Sequence, residues 1–168
     1  MTETDRRPLL LLLALVAALI GTVLRVWHIG SEPLWLDEAY SAYAAARGFD
    51  FLWNIVPLYE THPPFYYSLL RVWTLPFGDS LTALRALGLA CGLATLPASG
   101  FAAREIGRYL GLDARRQGLF VAIAIVLAAF APMLIEMARQ VRPYPVMILV
   151  IACQTGMLFR LGRHGRLV

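Results

Sequence analysis

Apolar residues along this chain fall in long unbroken runs, without the alternation of strands or the narrow stripe of a surface helix. The first run covers residues 8–27, PLLLLLALVAALIGTVLRVW. At 1.5 Å per residue, about twenty helical residues reach roughly 30 Å, the thickness of a bilayer's hydrocarbon. Three further runs, at about 80–103, 118–135 and 143–159, are each long enough to cross with some tilt. The pattern predicts an all-α integral membrane protein with four transmembrane helices. Arg6 and Arg7 before the first run also suit a signal peptide. The run is longer than a signal's apolar region, however, and no small-residue cleavage site follows, so a retained helix is expected. Arg25, near the end of that helix, is placed to snorkel to the interface.

Residues 63–77 are also apolar, but about fifteen helical residues reach only roughly 22 Å. Charge decides their place. If they do not cross, the connection from Gly30 to Asp79 carries Glu32, Asp37, Glu38, Asp50, Glu60 and Asp79 against Arg47 and Arg71. The next connection carries Arg104, Arg108, Arg115 and Arg116 against Glu105 and Asp113, and the tail carries Arg160, Arg163 and Arg166. The Arg-rich connections then share a side with Arg6 and Arg7, as the positive-inside rule demands. The expected topology therefore has a cytoplasmic N-terminus and a long first outer loop, 30–79. Two juxtamembrane helices are expected in that loop, at about 33–47 and 63–77. Pro33 suits an early position of the first, which ends at Gly48; Thr61 would cap the second, with Pro63 and Pro64 in its first turn. Trp35, Tyr40, Tyr43, Trp53, Tyr59, Tyr66, Tyr67 and Trp73 would form a belt at headgroup level.

Composition agrees with a membrane protein. Hydrophobic residues make up 59% of the 168, well above a soluble domain's usual share. Fifteen basic residues, all Arg, face eleven acids. They cluster at the ends of apolar runs, which marks orientation in a membrane and not a nucleic-acid surface. Cys91 and Cys153 lie inside apolar runs and read as small buried hydrophobes. There is no CxxC, HExxH or Gly-rich phosphate loop.

Candidate chemistry gathers in the two outer connections. Asp37 and Glu38 stand in LWLDEAYSAY. Acids on a surface helix are usually just solvated, but among Trp, Leu and Tyr at a membrane surface a carboxylate is partly desolvated and can serve as a base or a metal ligand. Neighbours on a helix point about 100° apart, so only one of the two faces a given site. His62, before Pro63 and Pro64, would sit at a helix N-terminus, where positive potential favours phosphate; a lone His is otherwise structural. In EMARQVRPYPV, Arg139 and Arg142 face outward against the charge rule. They anchor headgroups on the plain reading and clamp a phosphate on the functional one. Arg85, at the start of the second span, joins them. Together these residues define an outer-face site suited to a lipid phosphate.

The segments WLDEAYSAY, HPPFYYSLL, the ALR that opens the second span, and ARQVRPYPVMIL resemble, in order and spacing, the polyprenyl-phosphate-sugar-dependent glycosyltransferases of the GT-C type. These are relatives of protein O-mannosyltransferases and lipid A aminoarabinose transferases. The resemblance covers most of the chain. It implies a polyprenyl-phosphate-linked sugar as donor, an extracytoplasmic active site in the cell membrane, Asp37 as catalytic base with Glu38 in support, His62 and Tyr66 near the substrate, and Arg142 with Tyr144 at the donor phosphate. Many members carry an acid two residues before that Arg, where this chain has Gln140 and places Glu136 one turn earlier. A divalent metal is thus left open, with Asp37 and Glu136 as its only candidate ligands and no other cofactor implied. Family members continue with further spans, so the chain corresponds to their N-terminal part, and the remainder would be its partner. Two other classes compete. A non-catalytic accessory protein of lipid-linked sugar handling has no need of DE and HPP in an outer loop, and a transporter fragment would place ionisable groups at mid-membrane.

Overall fold

The computed structural model describes residues 6–163 and 165, and Arg166 lies outside them. Among the described residues the chain is all helix and turn. The helices are α1 (Arg6–Val26), α2 (Leu36–Ala46), α3 (Phe49–Asn54), α4 (Phe65–Phe77), α5 (Leu81–Tyr109), α6 (Ala114–Phe130), α7 (Pro132–Ala138) and α8 (Tyr144–Arg163). Three of them, α1, α5 and α8, are long and apolar enough to cross a membrane; α6 and α7, bent 59° apart, make a fourth if taken as one span.

The bundle is built with small residues inside and large ones outside. On α1, Ala14 and Ala17 are buried while Leu11, Leu15 and Leu19 are each about two-thirds exposed. A water-soluble bundle would do the reverse. Small inward residues let backbones approach, which is how helices pack when hydrocarbon gives them no reason to hide Leu. Helix α5 is central and packs against α1, α6, α7 and α8. Its Gly88 faces the carbonyls of Gln140 and Ala138, at 2.7 and 3.1 Å from where a Cβ would stand, so the chain after α7 rests directly on the α5 backbone.

At one end of the bundle, α2, α3 and α4 form a cap. Its core joins Ala44, Ala45, Leu52, Val56, Tyr66, Tyr67 and Leu70 to Leu84 and Leu87 of α5 and Val141 after α7. Trp73 of α4 donates its indole N–H to the carbonyl of Ala83, at 2.9 Å, and so pins the cap to the start of α5. Tyr66 and Tyr67 therefore belong to this core and not to a headgroup belt. At the other end Glu105, buried in α5, accepts from Arg108 at 2.9 Å and from Arg163 of α8 at 3.2 Å. That ion-pair cluster brings the Arg-rich α5–α6 connection and the end of α8 to one side of the molecule.

Several boundaries differ from those expected. Helix α2 begins after Trp35, leaving Pro33 outside it, and α4 begins at Phe65 behind Pro64, which caps without a side-chain bond. Thr61 instead donates to Glu60. The short α3 and the 3₁₀ turn Val56–Leu58 fill what was expected to be loop. Cys153 is exposed, not buried, because it lies on the outward side of α8.

The run over 118–135 breaks at Ala131–Pro132, and the break explains Arg25. Pro132 has no N–H to give the carbonyl of Ala128, and the chain turn leaves that of Ala129 free as well. Arg25 does not snorkel. It is 1% exposed and donates to the carbonyls of Ala128 at 2.7 Å, Ala129 at 3.0 Å and Gly21 at 2.9 Å. A cation at the C-terminus of α6 also meets the negative end of its dipole.

Candidate functional site

The cap brings two carboxylate–guanidinium pairs together, and their difference is the main feature of the site. Glu38 stands at the third position of α2, where its Oε2 accepts from the backbone N–H of Trp35 at 3.4 Å. Its side chain points inward and is 1% exposed. Arg85, one turn into α5, meets it as a fork, Nη2 to Oε2 at 2.8 Å and Nε to Oε1 at 3.3 Å. The N–H of Val141 donates to Oε1 at 2.9 Å. The remaining Arg85 donors go to the carbonyls of Ile29, Glu32 and Pro33, at 3.0, 2.9 and 3.2 Å. All five N–H groups of Arg85 are thus used. Glu38 and Arg85 tie α1's end, α2, α5 and the chain after α7 at one buried point. That leaves Arg85 no donor for a phosphate and gives Glu38 a positioning role.

Asp37 sits about 100° around the helix and points elsewhere. Its side chain is 44% exposed, and its Oδ2 lies 3.5 Å from Nη2 of Arg142, which is itself 8% exposed. Arg142 precedes α8, next to Val141, which is buried in the core of the cap. Its guanidinium lies 5.5 Å from the centroid of the Tyr144 ring, and Nη2 is 3.5 Å from the Tyr144 hydroxyl. Its Nε is buried with no hydrogen-bond partner, as is the hydroxyl of Tyr66. Burial works against the charge of Arg142, but the Tyr144 hydroxyl and the Asp37 carboxylate outweigh it, and its pKa stands above the ordinary guanidinium value. Burial pushes the Tyr66 hydroxyl well above the usual tyrosine range, against the opposing effect of the Arg142 charge. Tyr67 beside it is raised to about 12, again first by burial.

The two buried arginines of the cap therefore stand in opposite states, while Arg25, elsewhere in the bundle, also leaves its Nε without a partner. Arg85 is saturated by protein groups. Arg142 has only long contacts and an orphaned Nε, although buried guanidinium donors are normally satisfied. Of the two in the cap, Arg142 is the one with donors left over.

The other expected residues are dispersed. His62 is bound into its own turn: its Nδ1 is 2.7 Å from Glu60 Oε1, and its backbone N–H donates to the same oxygen at 3.1 Å. That contact holds the Glu60 carboxyl below its usual pKa. Glu136 on α7 and Arg139 just after it line a pocket of about 660 Å³ with His28, Glu32, Trp35 and Gln140; Glu38 and Arg85 form part of its wall. Asp37 and Arg142 are absent from that lining. Glu136 thus faces the pocket while Asp37 faces Arg142, and among the described residues no three His, Cys, Asp or Glu side chains converge as a metal site would require.

Sequence reasoning missed Glu60, the partner of His62, and the pocket residues His28 and Glu32. Glu60 is two residues from His62 and was legible as a turn contact; His28 and Glu32 reach the pocket only through tertiary packing. No family model, curated protein or solved structure matches this chain.

Proposed function

We propose that this chain is a membrane glycosyltransferase module that transfers a sugar from a polyprenyl-phosphate donor to an acceptor hydroxyl on the extracytoplasmic side of the cell membrane. The observation that carries the reading is the pair formed by half-exposed Asp37 and buried, under-committed Arg142. A half-exposed carboxylate loosely paired at 3.5 Å with a guanidinium that has spare donors offers a base and an anion site within reach of one substrate. The motif resemblance supplies the substrate class. The gathering of Arg108 and Arg163 on Glu105 supports the orientation, since Arg-rich connections stay cytoplasmic and the capped end then faces outward.

The reaction is a single displacement. The acceptor hydroxyl gives its proton to Asp37 as its oxygen bonds to the anomeric carbon. The bond from that carbon to the donor phosphate breaks, and its electron pair leaves with the phosphate oxygen. Arg142 meets the extra negative charge on the lipid phosphate, held in a dry environment by Tyr144 and Tyr66. Phosphate leaves without protonation, so no second acid is needed, and the anomeric configuration inverts.

The test is transfer of radiolabel from a pool of polyprenyl-phosphate sugars in membranes containing the chain. Asp37→Asn is expected to lower transfer by about 10²–10⁴-fold while the protein remains in the membrane. Full turnover by Asp37→Asn would exclude Asp37 as the base. No transfer above background by the wild-type chain would favour a non-catalytic accessory role.

A further inference from the structure

Helices α1 and α6 touch toward the cap and part at the other end. A Cβ on Gly21 of α1 would lie 2.9 Å from the Cβ of Ala129 on α6, so the two backbones meet there. About three turns back along α6, a Cβ on Gly118 would meet only the tip of Leu10, at 3.8 Å. The opening between the helices is a groove of about 330 Å³, walled by Leu10 and Ala14 on α1 and by Val121 and Ile125 on α6. It lies at the end of the bundle that carries the Glu105 cluster, away from Asp37 and Arg142.

The mouth of the groove is cationic. Arg104 of α5 and Arg115 of α6 line it, drawn together where Gln117 donates to the Arg104 carbonyl at 3.2 Å. At this end of the molecule Arg108 and Arg163 are spent on Glu105, and Arg116 on Asp113. Among the described residues neither the Arg104 nor the Arg115 guanidinium has a partner, and no acid lines the groove. Glu105 is buried and paired, and Asp113 accepts from the backbone N–H groups of Arg115 and Arg116.

Two uncommitted guanidinium groups at the end of an apolar groove match an amphiphile with a phosphate head and hydrocarbon tails. Guanidinium takes two phosphate oxygens in a fork, and basic pockets between membrane helices hold anionic lipid heads in this way. The long apolar helices of a second copy offer no free carboxylate in exchange: α1, α6 and α8 contain no acid, and Glu105 of α5 is already paired.

We propose that this groove binds an anionic glycerophospholipid, with an acyl chain between α1 and α6 and the phosphate on Arg104 and Arg115. A zwitterionic lipid fits less well, because its ammonium group would face two cations and no acid. The inference is independent of glycosyl transfer and requires only that the bundle sits in a bilayer.

Native mass spectrometry of the full chain, released from nanodiscs holding phosphatidylglycerol and phosphatidylcholine of the same acyl chains in equal amounts, tests it. Phosphatidylglycerol is expected to be retained over phosphatidylcholine by about fivefold or more. Arg104→Gln combined with Arg115→Gln should remove that preference, and Arg116→Gln should not. Gly118→Leu fills the groove, favours the helix over glycine, and should lower retention of phosphatidylglycerol with helix content unchanged by circular dichroism. Glycerol 1-phosphate, the head without the chains, should not displace the lipid. Equal retention of the two lipids, a preference that survives loss of both arginines or is lost equally with Arg116→Gln, retention untouched by Gly118→Leu, or displacement by glycerol 1-phosphate overturns the assignment. So does a chain that keeps no lipid and forms a dimer that Gly118→Leu separates, which would place a second copy in the groove.

Discussion

Asp37 and Glu38 are adjacent carboxylates, yet the fold gives them opposite environments. Glu38 is enclosed by Arg85 and two backbone N–H groups, so removing either charged partner strands the other. Glu38→Ala or Arg85→Ala is expected to cost about 3–5 kcal/mol in stability, measured by thermal unfolding in detergent. Asp37→Asn, at a partly exposed side chain, should cost less than about 1 kcal/mol by the same measurement. Equal losses at the two sites would contradict the division of roles. The tyrosines of the cap give a second residue-scale test. Folded Tyr67 keeps its proton up to about pH 12, whereas an unfolded tyrosine releases it near 10. Above pH 10 the unfolded state therefore binds fewer protons, and stability falls as pH rises toward 12, by up to about 1.4 kcal/mol per pH unit from this residue. Below pH 10 the contribution is intact. Phenolate absorbance followed alongside unfolding should show a buried fraction that titrates only as the cap opens.

At the scale of elements, two breaks in regularity position the site. The first lies between α6 and α7, where Pro132 frees the carbonyl of Ala128 and Arg25 takes it. Arg25→Leu should cost about 1–3 kcal/mol by leaving buried carbonyls unpaired. Pro132→Ala returns an N–H to the ladder, so Arg25→Leu should cost less in that background; a double-mutant cycle with no coupling would refute this view of the break. The second is the contact of α5 with the chain after α7. A Cβ at Gly88 would come within 2.7 Å of the Gln140 carbonyl. Gly88→Ala must push residues 138–142 off α5. It is therefore expected to reduce phosphate binding at Arg142 as well as stability, and a change in stability alone would separate the two. The long runs predicted the long apolar helices because length and hydropathy are local properties. The break at Ala131–Pro132 was only partly legible: Pro132 marks it, but a proline within a span often merely kinks it, and the distant Arg25 that caps the free carbonyls has no local signal.

For the whole molecule, the inverted surface is the most telling feature: Leu11, Leu15 and Leu19 outward, Ala14 and Ala17 inward. The all-helical class was legible from run length alone. The site was legible as a neighbourhood, since Asp37, Glu38, Arg85 and Arg142 do meet at one end. Their pairing was not, because which of two adjacent acids faces inward depends on where α2 starts, and that start lies at Leu36 and not at about residue 33. His62 fell away for the same kind of reason: its nearest partner, Glu60, lies in its own turn and not across the fold. At this scale the central claim is that one buried guanidinium is reserved for a lipid phosphate. The most direct measurement is binding of a short-chain polyprenyl phosphate to the purified full chain, compared with Arg142→Gln and Arg139→Gln. The expected result is binding that weakens by about 1.5–3 kcal/mol, roughly ten- to more than a hundredfold, for Arg142→Gln and changes little for Arg139→Gln. Binding that is absent from the wild-type chain, or indifferent to Arg142, would contradict it.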